Sequence, residues 1–360
     1  MKLKKGISVL SGLVLCSSVV LSACGGGSSA PASQQGGSTP APAPEKKEEP
    51  KAEAKPITLK VANYFATDHP QNVALRDKFK PMVEEKSNGT IKVEIYDNSK
   101  LGAEKEFYDG VRNGTIEMGI PGMIMQADVP KMGVGEWPFL FNDFDHAKKV
   151  FTGPIGEEMA ADLEAQGVHA LAWSANGFRM ISSNKPIKSM DDFKNFRLRT
   201  PNIPMYIKFG ELLGANITPM PISEVFTALE QNVVDGQDNP IATTRASGWY
   251  EVQSHVLEFG HVFSPNVYII NSKLWGSLTP EQQQIIEESA KASADYEWGL
   301  LEESFEADKK FLQEHGIEFI QPDEQFKQQM VEAVQPIYED YYKQFDWAKE
   351  MVEKIRAEGK

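Results

Sequence analysis

The chain has 360 residues, 41% of them hydrophobic and 24% charged, an ordinary composition for a globular protein with room for two hydrophobic cores. Its 37 Lys and Arg residues against 51 Asp and Glu residues give a formal net charge of -14, which argues against a protein that binds nucleic acid through phosphate contacts. The two cysteines, Cys16 and Cys24, are too few for a disulfide framework or a zinc site built from cysteine thiolates.

Residues 1–23 have the pattern of a bacterial export signal, with a lysine-rich start ahead of an apolar stretch at 7–20. The stretch ends in Leu21-Ser22-Ala23-Cys24, which resembles the bacterial lipobox, whose cysteine receives a lipid before cleavage. We therefore expect a lipoprotein signal peptide at 1–23 and a lipid anchor on Cys24. The alternative is a plain secretory signal with a chance cysteine.

Residues 25–56 contain no Val, Ile, Leu, Met or aromatic side chain. Such a segment cannot bury enough apolar area to offset its ordering entropy, so we expect lipidated Cys24 and a disordered linker over 24–56. A flexible coil of that length spans roughly 30 Å, which would hold the globular part near a membrane without entering it.

From Ile57 onward, short alternating apolar segments are interspersed with segments of helical periodicity. The predicted strands lie at 57–61, 91–95, 115–120, 168–174, 178–183 and 196–199, and the predicted helices at 71–86, 104–112, 154–166, 204–213, 223–233 and 280–314. Strands alternating with helices favour a mixed α/β fold, and the number of elements favours two sheets.

The strongest helix start in the chain is Thr279-Pro280-Glu281-Gln282, which places an N-cap, an N1 proline and a capping-box glutamine in order. No proline follows before Pro322, so one helix is predicted from Pro280 to about Glu314. At 1.5 Å per residue it is roughly 50 Å long, enough to contact two lobes.

Signatures of catalysis are missing from the sequence. It has no GxSxG elbow, no GxxxxGK[ST] phosphate loop and no HExxH pair, and its six histidines show no recurrent ligand spacing. Both cysteines fall in the signal segment or at the lipidation position, so no cysteine nucleophile is expected in the folded part. The sequence predicts no enzyme, no cofactor and no metal site; an anchored hydrolase is the competing hypothesis.

Three segments carry a family resemblance. They are Trp173-Ser174-Ala175-Asn176-Gly177-Phe178-Arg179, Phe196-Arg197-Leu198-Arg199-Thr200-Pro201 and Val234-Asp235-Gly236-Gln237-Asp238-Asn239-Pro240. In this order and spacing the chain resembles the DctP-type solute-binding proteins of tripartite ATP-independent periplasmic (TRAP) transporters, from Ile57 to about Asp323.

The resemblance implies a two-lobed, type II periplasmic-binding-protein-like α/β fold with mixed sheets, hinge strands and a long helix spanning both lobes. On that basis lobe I is predicted at 57–176 plus about 265–304, and lobe II at 177–264 plus about 305–360. The ligand is expected in the cleft between them.

The resemblance also implies that Arg199 grips a ligand carboxylate, that Arg179 supports the same end, and that the Asn239 amide donates to it. A planar guanidinium suits a carboxylate because it offers two parallel N–H donors. Strand alternation alone cannot choose between Arg197 and Arg199, since both lie on one face. An ion pair between strands or lobes is the alternative for the arginines, and a turn-forming Asn-Pro is the alternative for Asn239.

The remaining candidate contacts lie near the first strand and among the aromatic residues. Asn63, His69 and Trp173 are the candidates, although Trp173 also fits the core. The segment 121–126, where sugar-acid receptors carry polar residues, is rather apolar. These features leave the far end of the ligand undefined.

The sequence therefore predicts a receptor that is extracytoplasmic and lipid-anchored to the cell membrane, and that passes a small carboxylate to TRAP permease subunits. A C4-dicarboxylate is the first choice of ligand. A sugar acid, such as a uronate or sialic acid, is the alternative, and a ligand sensor for a membrane kinase is a second alternative function. No nucleic-acid partner is expected.

Overall fold

The structure is a computed structural model that describes residues 56–360, so the predicted signal peptide, Cys24 and the linker up to residue 55 lie outside the described residues. The strands are β1 (Ile57–Asn63), β2 (Ile91–Tyr96), β3 (Met118–Ile120), β4 (Val168–Ser183), β5 (Arg197–Thr200), β6 (Asn216–Pro219), β7 (Gly236–Asn239), β8 (His255–Asn271) and β9 (Glu318–Ile320). The helices are α1 (Pro70–Ala74), α2 (Lys80–Lys86), α3 (Glu104–Asn113), α4 (Phe144–Phe151), α5 (Pro154–Ala160), α6 (Pro204–Leu213), α7 (Val225–Glu230), α8 (Ile241–Ala246), α9 (Ser272–Ser277), α10 (Pro280–Glu314), α11 (Glu324–Ala333), α12 (Gln335–Gln344) and α13 (Ala348–Glu358).

The strands form one sheet in the order β2-β1-β3-β8-β4-β7-β5-β6, with β9 paired to β8. At one end β1 runs parallel to β2 and β3, and at the other end β5 runs parallel to β6 and β7. The long antiparallel strands β4 and β8 join the two ends. The two sheets expected from the sequence are therefore two ends of one hydrogen-bonded ladder, and the mixed α/β class is confirmed.

The predicted strands at 168–174 and 178–183 are a single strand, β4, of 16 residues. Gly177 lies within it at a φ of +108°, a backbone conformation that favours glycine, and the pairing of β4 with β8 shifts register between Ala175 and Gly177. Because a register shift bends a strand without ending it, the Asn-Gly pair is a bend and not the predicted break.

The predicted long helix is confirmed as α10, which runs without a break for 35 residues. Thr279 Oγ1 accepts from the Gln282 backbone N–H at 3.2 Å, and Gln282 Oε1 accepts from the Thr279 N–H at 3.0 Å. Near its start Glu288 pairs with Lys86 at 2.7 Å, and near its end Lys309 pairs with Glu258 at 2.7 Å. The helix thus connects α2, which follows β1, with the first part of β8.

The C-terminal helices α11 to α13 were not predicted. They return to the segment that precedes β4: Tyr338 donates to the carbonyl of Pro138 at 2.7 Å, and His146 of α4 lies 2.7 Å from the carbonyl of Ile355 in α13. Within residues 56–360, none of the helices combines the length and the apolar character needed to cross a membrane.

Candidate functional site

A cavity of about 500 Å³ opens between the two ends of the sheet. Its walls come from the start of α3, the 121–124 segment, β5, the start of α6 and the 221–222 segment. Arg199, Arg179 and Asn239 all line it, so the structure brings together the three residues that the motifs singled out.

A second cavity of about 530 Å³ lies between α5, β4 and α10. Its floor is largely aromatic and aliphatic, with Trp173 and Trp298, and its rim carries acidic side chains but no arginine. Because buried cationic and polar groups converge only on the first cavity of these two, the first is the candidate site.

Arg199 is the cationic group of this site that has no anionic partner among residues 56–360. Only 2% of its surface is exposed, and its Nε and Nη2 both donate to the carbonyl oxygen of Met220, at 3.1 and 2.7 Å. Burial lowers the pKa of Arg199 to about 10, and the negative charge of nearby Glu104 offsets this only in part. In the part of the chain that the structure describes, no carboxylate pairs with this guanidinium, so it favours an incoming anion.

Arg179 has a different environment because its charge is already balanced. Its Nε donates to Asp238 Oδ2 at 3.2 Å, its Nη2 donates to the Asp238 carbonyl oxygen, and its guanidinium stacks 4.5 Å from the ring centre of Tyr206. Burial opposes the charged form, but the Asp238 carboxylate, together with Tyr206 and Glu136, outweighs burial and keeps the pKa of Arg179 above its ordinary value. Arg179 can therefore orient a ligand with N–H groups without adding unbalanced charge.

Asn239 ends β7 and is 4% exposed. Its Nδ2 donates to Gln237 Oε1 at 2.7 Å, and Gln237 Nε2 in turn donates to Ser182 Oγ at 2.9 Å. This chain of side-chain hydrogen bonds fixes the Asn239 amide at the cavity wall. Pro240 follows and precedes α8, so the residue also marks the turn that the sequence suggested.

Glu136 is a buried acid in the cavity wall that sequence reasoning missed. Its Oε1 accepts from Tyr206 Oη at 2.8 Å and Ser264 Oγ at 3.1 Å, while Oε2 accepts from Gln126 Nε2 at 2.9 Å. Burial raises the pKa of Glu136 to about 7, although the positive charge of Arg179 and these three donors act against the rise. The site therefore holds a carboxyl group that titrates near neutral pH.

Glu104 and Tyr64 also line the cavity and were not predicted. Glu104 is the first residue of α3, and its Oε1 accepts from the backbone N–H of Ile222 at 3.1 Å. Tyr64 directly follows the candidate Asn63, and burial raises the pKa of its hydroxyl, which stays protonated.

The other three candidates do not line this cavity. Asn63 is fully buried and donates to Asn72 Oδ1 at 2.8 Å, and His69 caps α1 by accepting from the Gln71 N–H at 3.1 Å. Burial lowers the pKa of His69 to about 3, so its ring is neutral. Trp173 lines the second cavity and donates to the Gly156 carbonyl at 3.2 Å. The physical reason why none of the three serves this cavity is the same: their polar side-chain atoms form hydrogen bonds with other residues of the chain.

The structure separates the two arginines that alternation left equivalent. Arg197 lies outside the cavity and pairs with Asp235, from Nη2 to Oδ1 at 2.6 Å and from Nε to Oδ2 at 3.1 Å. Its side chain is 42% exposed. Arg197 therefore anchors the turn before β7, whereas Arg199 faces the cavity.

Comparison with known proteins gives a consistent picture. The model of the bacterial extracellular solute-binding proteins, family 7, matches residues 61–344. A solved TRAP periplasmic solute-binding protein from Haemophilus influenzae with bound L-gulonate is 41% identical, with a TM-score of 0.82, and the match covers 84% of this chain and 99% of that one.

Two curated relatives differ in the ligand they are named for. The 2,3-diketo-L-gulonate-binding periplasmic protein of Escherichia coli is 34% identical over 69% of this chain and 76% of its own length. The C4-dicarboxylate-binding periplasmic protein of Rhodobacter capsulatus is 29% identical over 85% of this chain and 89% of its own length.

Proposed function

The chain belongs to family 7 of the bacterial extracellular solute-binding proteins, which includes the TRAP transporter receptors, and from this premise we propose that it captures a small organic anion around Arg199 and delivers it to a TRAP permease. The observation that carries the proposal is the buried guanidinium of Arg199, which lines the cavity without an anionic partner in the described chain. The ligand is released chemically unchanged.

We propose a sugar acid with one carboxylate as the ligand class, ahead of the C4-dicarboxylate that was the first choice from sequence. A second carboxylate would face Glu104 and Glu136. Among the described residues that line the cavity it would find no second free arginine, since Arg179 is paired with Asp238. Lys105 also lines the cavity, but it is 53% exposed and already paired with an aspartate at 2.6 Å.

Hydroxyl groups fit the same surroundings better than a second charge does. Each sugar hydroxyl can donate to a carboxylate oxygen of Glu104 or Glu136, or to the hydroxyl oxygen of Tyr64 or Tyr206, whose own protons are donated to Asn266 and Glu136. The solved relative with bound L-gulonate and the relative named for 2,3-diketo-L-gulonate support this choice.

A thermal melting panel tests the ligand class. L-gulonate and D-galacturonate should raise the melting temperature, whereas succinate at the same concentration should not. A specific ligand at ~100 times its dissociation constant adds roughly 2.7 kcal/mol to stability. Stabilisation by succinate alone would contradict the sugar-acid assignment, and no response to any organic acid would contradict the receptor itself. NMR of the recovered ligand checks that it is unchanged.

We further propose that the lobes close about a hinge where β4 and β8 cross between them. The boundaries expected from sequence, at 176/177 and 264/265, coincide with the register shift in which Ala175 pairs with Pro265 and Gly177 with Ser264. Because α13 contacts α4 through His146, we assign α13 to lobe I, unlike the sequence-based division at 305–360.

Lipid anchoring through Cys24 is also a proposal, supported by the lipobox-like Leu21-Ser22-Ala23-Cys24. Cys24→Ala should leave the protein unprocessed or released, and detergent partitioning measures this directly. A Cys24→Ala protein that still partitions into detergent as a lipoprotein would show that the assignment is wrong.

A further inference from the structure

A three-residue segment of lobe II, Met220 to Ile222, is held from both sides of the cavity. On its own lobe, Arg199 donates twice to the Met220 carbonyl, at 3.1 and 2.7 Å. From lobe I, Glu104 Oε1 accepts from the Ile222 N–H at 3.1 Å. The segment therefore lies between the group proposed to bind the ligand carboxylate and an acid of the opposite lobe.

Pro221 makes this segment a stiff link. It is the single residue between the Met220 carbonyl and the Ile222 amide, and its ring holds φ at -62°. One of the two backbone torsions of Pro221 between these groups is therefore fixed, which limits how far Met220 can move independently of the Ile222 amide. Pro221 also lacks an N–H, so Glu104 has the Ile222 amide as its nearest backbone donor in the segment.

Glu104 is not needed to cap its own helix. The start of α3 is capped by Glu106, whose Oε2 accepts from the Ala103 N–H at 2.9 Å. A carboxylate at the first position of a helix gains only a modest interaction with the helix dipole. The cross-cavity bond to Ile222 is thus the specific contact that the Glu104 side chain makes.

From these contacts we infer that Glu104 is a positioning residue that fastens the Met220–Ile222 segment to lobe I and so couples carboxylate binding at Arg199 to closure of the cavity. The inference rests on the proposed receptor function and adds a residue and a path to it. A ligand carboxylate that pulls on the Arg199 guanidinium reorients the donors to Met220, and the rigid Pro221 presents the Ile222 amide to Glu104.

The variants Glu104→Ala and Glu104→Gln separate hydrogen bonding from charge, because glutamine keeps an acceptor oxygen and loses the charge. Glu85→Gln is the matched control, since it makes the same change at an exposed carboxylate of α2, outside the cavity. The probe is L-gulonate, followed by stopped-flow fluorescence on the full chain. Glu104→Ala should speed dissociation roughly tenfold with little change in the association rate. Glu104→Gln should speed dissociation less than Glu104→Ala does, and Glu85→Gln should stay within about threefold of the parent.

Hydrogen exchange at the Ile222 amide distinguishes a fastening contact from a direct ligand contact. In the loaded protein, Glu104→Ala should speed exchange at Ile222, and Glu104→Gln should preserve protection. Faster dissociation with unchanged Ile222 protection would assign Glu104 to the ligand alone and overturn the inference. If no acid binds the parent, the proposed function is wrong, and the inference about Glu104 is then tested without ligand. Equal exchange rates at the Ile222 amide in the ligand-free parent and in ligand-free Glu104→Ala would overturn the inference.

Discussion

Arg199 and Arg197 are two residues apart on β5, and their surroundings assign them different roles. Arg199 is 2% exposed with no carboxylate partner in the described chain, whereas Arg197 is neutralised by Asp235 at 2.6 Å. Two identical side chains on one strand face thus differ in charge balance, which is the property that decides which of them attracts an anion.

Replacing Arg199 by Ala should abolish detectable binding of the acid that stabilises the parent. Removing one partner of a buried charged pair costs about 2 to 5 kcal/mol, which is roughly a 30-fold to several-thousand-fold loss in affinity. Arg199→Lys should recover little, because an ammonium lacks the two-pronged geometry. Calorimetry measures all variants, with Arg197→Ala as the control. Binding of Arg199→Ala within about threefold of the parent, or a larger loss for Arg197→Ala, would contradict this assignment.

Glu136 predicts a pH dependence of stability. Burial raises its pKa from 4.5 to about 7, so the neutral acid is favoured in the folded state. The raised pKa makes a contribution to the free energy of unfolding that is fully present below about pH 4.5 and is lost as the pH rises through about 7. The whole contribution is at most about 3 kcal/mol. Arg179, Tyr206, Ser264 and Gln126 face this carboxyl group, and all four oppose the rise in its pKa.

The test compares the melting temperature of the ligand-free parent with that of Glu136→Gln at pH 5 and pH 8. The parent should lose stability relative to the variant at the higher pH. Any fixed cost of placing an amide beside Gln126 is the same at both pH values and cancels. A difference that does not change with pH would show that Glu136 does not titrate in this range.

Among the elements, α10 combines a locally encoded start with a buried polar contact at its centre. Glu297 is fully buried, its Oε2 accepts from the Ala175 N–H at 2.9 Å, and its Oε1 has no partner in the described chain. Burial raises the pKa of Glu297 well above its ordinary value, and the hydrogen bond from the Ala175 N–H offsets this rise only in part. The bond joins the spanning helix to β4 at the residue where the register shifts.

Glu297→Ala should destabilise the fold by about 2 to 4 kcal/mol, because it leaves the Ala175 N–H unpaired and opens a void. Glu297→Gln keeps an acceptor and should cost at most about 1 kcal/mol. Glu287→Ala, on the exposed face of the same helix, should change stability by less than about 0.5 kcal/mol. Urea unfolding measures the three variants; equal costs for Glu297→Ala and Glu287→Ala would contradict a structural role for the buried bond.

At the scale of the whole molecule, contacts across the cavity come from both lobes. Glu104 reaches Ile222 at 3.1 Å, and Glu136 reaches Tyr206 at 2.8 Å. A ligand shifts a two-state equilibrium only by its differential affinity for the two states, and these contacts exist only where the lobes approach.

Small-angle scattering should therefore show a smaller radius of gyration when the parent is loaded with its acid ligand. Arg199→Ala at the same ligand concentration should show no compaction, which controls for effects of the solution. An unchanged profile of the parent at saturation would contradict hinge closure.

The sequence by itself determined the features that depend on neighbouring residues. The capping box at Thr279 and Gln282 located the start of α10, because its bonds close within one helical turn. Apolar periodicity gave the α/β alternation, and the motifs around Arg179, Arg199 and Asn239 selected three residues that line the cavity.

The tertiary structure decided what depends on long-range pairing. β8 was not predicted because a strand buried on both faces has no polar alternation. β4 was predicted as two strands because Gly177 bends it, and only the pairing with β8 shows that the strand continues through the bend. Glu104 and Glu136 carry no local signal for a cavity. Each becomes part of the site because chain folding places it against a distant partner, Ile222 or Tyr206, and the pKa of Glu136 rises because burial, a property of the whole fold, removes its carboxyl group from water.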